Sequence, residues 1–270
     1  MKKFLAIMLV LVLLVSIVAC SKKDDVAAGE EVAATTAAPK HVYQEDDSDD
    51  KFGYAVNAQG DYDITSFETS DEKHKVTIPS EIDGIPVTGI ADEAFKSAWQ
   101  ITEVVIPDSV EYIGVAAFFD CKYLTKVDMP DSVTKIAEAA FKDCIALDNL
   151  TLSKELTEIG DGAFYGCTSL KKIAFTDKLE VIGLGAFQNC TSLAEVKISD
   201  SVKEIKGGAF QGCTALDSIE IPATVEVFGD FIFTTVDAGN TDFKIIAAAD
   251  SAAAAYATAN EYTLEVPAAE

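Results

Sequence analysis

From Val76 onward the apolar residues repeat one short pattern. Pairs of apolar side chains two positions apart recur at Val104/Ile106, Val127/Met129, Leu150/Leu152, Ile173/Phe175, Val196/Ile198 and Ile219/Ile221. Period two predicts a short strand with one face buried. The residue after each pair is Pro107, Pro130, Ser153, Thr176, Ser199 or Pro222, which predicts a turn. Apolar side chains return at Val110/Ile113, Val133/Ile136, Leu156/Ile159, Leu179/Ile182, Val202/Ile205 and Val225/Phe228. Ala-Phe pairs ending at Phe95, Phe118, Phe141, Phe164, Phe187 and Phe210 are spaced by 23 residues throughout. The same register sets Cys121, Cys144, Cys167, Cys190 and Cys213 three residues after their phenylalanines, with Leu124, Leu147, Leu170, Leu193 and Leu216 three further on. The first unit has Ala98 and Ile101 at those places. A fixed period of this length predicts a stack of coils. One coil cannot bury its own apolar edge, whereas equivalent positions of neighbours form a continuous core. The strands of successive coils, one strand spacing apart, would then form a single curved face.

Both ends of the array depart from the pattern. Phe233 keeps the 23-residue step, but Ile232 replaces the alanine and Val236 stands at the cysteine position, so a degraded coil is expected with Phe243 and Ile245 in its strand. The alanine-rich residues 251–259 predict a short helix and residues 262–266 a last strand, together a cap. At the front, Val76-Thr77-Ile78-Pro79 repeats the strand-and-proline element, with five extra residues around Ile82 to Val87. Upstream, residues 52–67 read as a hairpin across the turn at residues 57–61, covering the first coil.

Met1-Lys2-Lys3 and the uncharged apolar run that follows it to Ala19 read as an export signal, too short for a permanent membrane span. Ile17-Val18-Ala19-Cys20 resembles a bacterial lipobox, and that resemblance implies a lipidated Cys20 as the membrane anchor. Residues 21–51 are rich in Ala, Thr, Asp, Glu and Lys, a composition that cannot offset the entropy of ordering, and are expected to be a tether. The acidic run at residues 45–50 lacks the glycine and closing glutamate of a calcium loop and reads as solvated charge.

The repeat resembles the BspA-like class of bacterial leucine-rich repeats, whose pattern runs approximately Ala-Phe-x-x-Cys-x-x-Leu-x-x-Val-x-Ile-Pro-x-x-Val-x-x-Ile-Gly. The resemblance implies a leucine-rich-repeat solenoid of parallel stacked short strands with irregular turns, capped at both ends. Taken together, these readings divide the chain into a signal peptide (1–19), a lipidated cysteine and acidic tether (20–51), a capping hairpin and entry segment (52–90), the repeat array (91–246) and a C-terminal cap (247–270). It also places the cysteine row inside the core, where a free thiol acts as a small apolar filler. A shared architecture is far less specific for activity than for fold.

Charge and composition narrow the chemistry. Forty-five acidic against 21 basic residues give a net charge of -24, which disfavours nucleic acid and anionic lipid as partners. His41 and His74 are the only histidines, one in the tether and one in the entry segment, so neither a nucleophile-histidine pair nor an imidazole metal site is expected. Gly114, Gly160 and Gly183 recur at the repeat period and read as turn residues rather than a nucleotide-binding motif. No cofactor, metal or catalytic residue is expected, and the reading is a non-enzyme. Trp99, the single tryptophan, is read as packing in the first coil's turn.

What remains is the exposed side of the strands: Glu103, Lys126, Asp128, Asn149, Thr151, Lys172, Glu195, Lys197, Ser218 and Glu220. The expected function is a monomeric, lipid-anchored and extracytoplasmic surface protein of a bacterial envelope. It would offer this ladder to a protein or glycoprotein, with adhesion or host interaction implied by the family resemblance. The alternative is an envelope scaffold or substrate-capture module for proteins of the same cell.

Overall fold

The computed structural model describes residues 40–43, by their backbone, together with 49–233 and 243–267. Cys20, the signal segment, most of the tether and Val236 lie outside these residues.

The chain opens with β1 (Lys40–Tyr43), β2 (Lys51–Val56) and β3 (Tyr62–Glu68), paired antiparallel in sequence order. The expected hairpin is therefore present. β1 corrects the tether reading for its four residues, because the free edge of β2 supplies backbone partners that composition does not reveal. Next come β4 (His74–Thr77), β5 (Glu81–Ile82) and β6 (Ile85–Ile90). The five extra residues are accommodated by a tight β5–β6 hairpin, whose Asp83 and Gly84 both have positive φ, 52° and 78°, as such a two-residue turn requires.

Each coil then contributes two short strands. On one side are β7 (Ile101–Val105), β9 (Lys126–Asp128), β11 (Asn149–Thr151), β13 (Lys172–Ala174), β15 (Glu195–Lys197) and β17 (Ser218–Glu220). On the other are β8 (Tyr112–Ile113), β10 (Lys135–Ile136), β12 (Glu158–Ile159), β14 (Val181–Ile182), β16 (Glu204–Ile205) and β18 (Val227–Phe228). β19 (Lys244–Ile246), α1 (Ala252–Ala259) and β20 (Thr263–Glu265) close the array as expected, with the Ser251 hydroxyl accepting from Ala254 N–H as helix N-cap. The even-numbered strands from β6 to β18 form one parallel ladder, joined through β3 to the opening hairpin. This second sheet was not anticipated. Its members from β8 to β18 are two residues long, too short to show a period of their own, and exist because the neighbouring coil supplies their hydrogen bonds.

The odd-numbered side departs from the single face expected. It forms two separate sheets, β11-β9-β7-β4 and β13-β15-β17-β19-β20. The division falls between β11 and β13, while the ladder on the other side runs through unbroken.

A third set of bonds follows the Ala-Phe corner, where alternate residues donate to the next coil. Ala116 N–H bonds Glu138 O at 2.9 Å, Phe118 N–H bonds Ala140 O at 2.7 Å, and Asp120 N–H bonds Lys142 O at 2.8 Å. The corner requires left-handed backbone two residues before and two after each phenylalanine, as at Ala139 and Asp143 (φ 53° and 60°). Asp, Asn and Gly tolerate that region best, and Asp120, Asp143, Gly166, Asn189 and Gly212 fill the second position. Gly160 and Gly183 act differently from the turn role expected of them. Neither has positive φ, and a Cβ on Gly160 would lie 2.6 Å from the Ala137 carbonyl carbon, so these glycines allow close approach between coils.

The core is a stack of layers. Phe95, Phe118, Phe141, Phe164, Phe187, Phe210 and Phe233 follow one another at ring-centre distances of 4.8, 5.0, 5.3, 5.3, 5.6 and 5.8 Å, with planes within 11° of parallel. Beside them run the five cysteines, free and buried. Each thiol donates to the carbonyl of the phenylalanine one coil earlier at 3.1–3.2 Å, from Cys121 to Phe95 O through Cys213 to Phe187 O. The row read as a core filler is thus also hydrogen-bonded across coils. At two of the three turns that lack proline, serine substitutes for it: the Ser153 and Ser199 hydroxyls accept from the N–H two residues on.

Candidate functional site

The ladder of strand-borne side chains lies at the surface, as its alternation with the buried residues requires. Glu103 and Lys126 are half-buried, and Asp128, Asn149, Thr151, Lys172, Glu195, Lys197, Ser218 and Glu220 are exposed. Register pairs Lys75 with Glu103, Glu103 with Lys126, Lys126 with Asn149, Lys172 with Glu195 and Lys197 with Glu220. Opposite charges face one another in four of these five pairs, all but Lys126 with Asn149, which stabilises each sheet and also patterns its surface.

The break between β11 and β13 divides the ten residues into two groups. In the first, Lys126 Nζ lies 2.7 Å from Asp128 Oδ2, and the Thr151 hydroxyl donates to Asp128 Oδ1 at 3.0 Å. The hydrogen bond to Asp128 raises the Lys126 pKa, and the same contact lowers that of Asp128. Both therefore remain charged across the neutral range. Glu103, Lys126 and Asp128 share a groove of about 240 Å³ with Lys75. Lys75 was missed by sequence reading, although Val76-Thr77-Ile78-Pro79 already placed it in register. In the second group, Lys197 and Glu220 line a larger groove of about 910 Å³, with Phe175, Val196 and Ile198 as apolar floor and Asp177, Asp200 and Ser201 along the following turn. Asn149, Thr151, Lys172, Glu195 and Ser218 line neither groove.

One polar cluster lies apart from this face. His74 Nε2 is 2.7 Å from Asp50 Oδ1, His74 Nδ1 is 2.8 Å from Glu72 O, and the Thr69 hydroxyl donates to Asp50 Oδ1 at 2.6 Å. Asp50 is buried, which corrects its reading as part of a solvated run. Because both ring nitrogens face acceptors, the site favours the doubly protonated, charged ring, a clasp onto Asp50. Burial opposes that charge, but the Glu72 carbonyl and then Asp50 and Asp49 outweigh it, so the His74 pKa is raised. A raised folded-state pKa stabilises the fold below the ordinary histidine value, and the contribution is lost as pH rises through the folded-state value. The melting-temperature difference between the wild type and His74→Gln is therefore expected to be largest near about pH 5 and to shrink by about pH 9. A gap independent of pH would contradict the clasp. Among the described residues no group of three or more His, Cys, Asp or Glu side chains could hold a metal ion, and no helix is long and apolar enough to cross a membrane.

Comparison with known proteins agrees with this architecture. The family model described as a BspA type leucine rich repeat region matches residues 88–216 and 182–247, with six copies. Among solved structures, a leucine-rich repeat protein of T. pallidum is 31% identical, covering 66% of this chain and 83% of that one, with a TM-score of 0.59. A leucine-rich cell surface protein of Faecalibacterium prausnitzii is 31% identical over 80% of this chain and 56% of its own, with a TM-score of 0.66. A leucine-rich repeat protein of Bacteroides ovatus is 28% identical over 74% and 54%, with a TM-score of 0.63. This chain thus spans about half the length of the last two. No curated protein matches it. With phenylalanine, cysteine and leucine rows stacked coil upon coil and the family's repeats covering more than half its length, the chain belongs to the BspA-type leucine-rich repeat family.

Proposed function

We propose that the protein is displayed on a bacterial envelope through lipid on Cys20 and binds a protein or glycoprotein through its odd-numbered strands. The observation that carries the binding half is the larger groove, where the apolar floor of Phe175, Val196 and Ile198 lies among Lys197, Asp177, Asp200 and Glu220. An apolar centre bordered by fixed charges provides both burial and orientation for a polypeptide segment. Display is supported by the lipobox-like residues ahead of Cys20 and by the name of the F. prausnitzii relative, a cell surface protein. The role proposed is binding, and the His74–Asp50 pair is read as a clasp between β4 and the start of β2.

The test is retention of partners by the full-length chain from host extracellular protein and from solubilised envelope, compared with a Lys126→Glu, Lys172→Glu, Lys197→Glu variant of unchanged melting temperature. The wild type is expected to retain at least one protein that the variant loses, with affinity reduced about tenfold or more. Identical retention by both would refute the assignment of this face. Capture from the envelope fraction alone would make the protein a scaffold for its own cell.

A further inference from the structure

A second surface lies on the corner between the core phenylalanines and the odd-numbered strands. The residue four positions after each of the first six core phenylalanines forms one row: Trp99, Lys122, Ile145, Thr168, Thr191 and Thr214. Tyr123 stands next to Lys122. Trp99, Tyr123 and Ile145 are 40%, 45% and 43% exposed, so three large apolar side chains reach the surface on three successive coils. Trp99 thus departs from its reading as a packing residue. From the fourth coil on, the same row is threonine, and the change falls where the odd-numbered sheet divides, between β11 and β13. Lysines are set among the apolar groups. Lys73 Nζ stands 3.1 Å from the centre of the Tyr123 ring, and Lys96 and Lys142 flank the Phe119 ring at 5.7 and 5.9 Å. Acids lie beside them, with Glu93 2.7 Å from Lys96 and Asp120 3.4 Å from Lys122.

Tryptophan, tyrosine and lysine together are the side chains that settle at a bilayer surface. The rings rest among the head groups, and lysine stems lie along apolar surface with their charge in water. The mixed signs of this corner suit a zwitterionic head-group layer, and the net charge of -24 disfavours a strongly anionic one. Chain connectivity points to the same occupant. Nineteen residues separate Cys20 from β1, which is paired to the opening hairpin, so a lipid on Cys20 would hold the N-terminal end of the array within about 70 Å of the bilayer. A short tether makes docking an intramolecular step, so a contact too weak to form from solution becomes populated. Resting on the reading of Cys20 as a lipid anchor, we propose that Trp99, Tyr123 and Ile145 dock the first three coils on the head-group layer of the membrane that holds that lipid. Phe175, Lys197 and Glu220 of the larger groove lie beyond the sheet division, on the coils that the threonine row leaves undocked, where a partner can reach them.

Trp99 is the single tryptophan, so its fluorescence reports the contact directly. The full-length chain is expressed in a bacterium, purified from its membrane with the processing it receives there, and reconstituted in phosphatidylcholine vesicles, while mass spectrometry establishes whether Cys20 carries lipid. Trp99 emission is expected to be quenched in vesicles of phosphatidylcholine brominated near the head groups, relative to unbrominated ones. Tyr123→Ser together with Ile145→Ser is expected to weaken the docking equilibrium about tenfold and so reduce that quenching. In a Trp99→Phe, Lys197→Trp variant the only tryptophan lies in the larger groove, and its emission should be the same in both kinds of vesicle. Thermal melting verifies that every variant is folded. Cys20 without lipid would overturn the display reading and this inference with it. Lipid on Cys20 with Trp99 unquenched would overturn the docking alone, as would equal quenching of the groove tryptophan or quenching unchanged by the loss of Tyr123 and Ile145. Shielding of Trp99 from aqueous acrylamide that arises only when envelope protein is added would also overturn it, and would assign the corner to a protein partner.

Discussion

Replacing Phe164 with alanine is expected to destabilise the protein by about 3–5 kcal/mol, read from urea unfolding. The ring is fully buried, with Phe141 and Phe187 each 5.3 Å away and nearly parallel to it. Its removal leaves a cavity between two layers rather than a dent in one. That cavity cannot readily collapse, because the coils on either side are fixed by backbone bonds such as Phe164 N–H to Ala186 O at 2.8 Å. In a stack where each coil contacts only its neighbours, the loss weakens two interfaces at once. Tyr165, the next residue, makes the contrast: it is only partly buried, and its truncation should cost far less stability. A loss below about 1 kcal/mol for Phe164→Ala would contradict the continuous stack.

The second large effect concerns the thiols. All five are expected to resist alkylation in the native protein and to react at once in denaturant. Burial raises the Cys213 pKa from 9.0 to about 12, which lowers its thiolate fraction near neutrality by about three orders of magnitude, and the thiolate is the reactive form. Burial drives Cys144, Cys167 and Cys190 upward as well. Access is closed in addition, since reagent reaches Sγ only when neighbouring coils separate and the S–H···O bonds to the phenylalanine carbonyls break. Mass spectrometry of native protein after brief alkylation should therefore find these five positions unmodified. Rapid native labelling of any of Cys144, Cys167 or Cys190 would contradict the register.

Much of the architecture was legible because a repeat displays its core several times over. Any one Phe-x-x-Cys could be chance, but six phenylalanines at equal spacing define which residues share a layer. The hairpin, the strand after Phe243 and the helix with Ser251 ahead of its alanines were likewise readable from local pattern. The missed features depend on backbone alignment between coils, which side-chain type does not encode. The division between β11 and β13 occurs although Leu150 and Ile173 continue the pattern without interruption. The two-residue strands of the second sheet take their identity from their neighbours. Asp50 looked like one more acid in a charged run until the fold brought His74 and Thr69 to it across 24 and 19 positions. The strand-face residues were correctly placed at the surface, but their division into two grooves, and the entry of Lys75 into the first, needed the three-dimensional register.

The central claim is that the displayed solenoid meets its partner on the odd-numbered strands. It is tested most directly in living cells, by placing a photo-crosslinking amino acid at Lys197 or Glu220 in the larger groove and, for comparison, at Glu158 or Lys135 on the opposite sheet. The account predicts a discrete crosslinked protein from the groove positions and none in common from the opposite sheet. Crosslinks from Glu158 or Lys135 alone would contradict it.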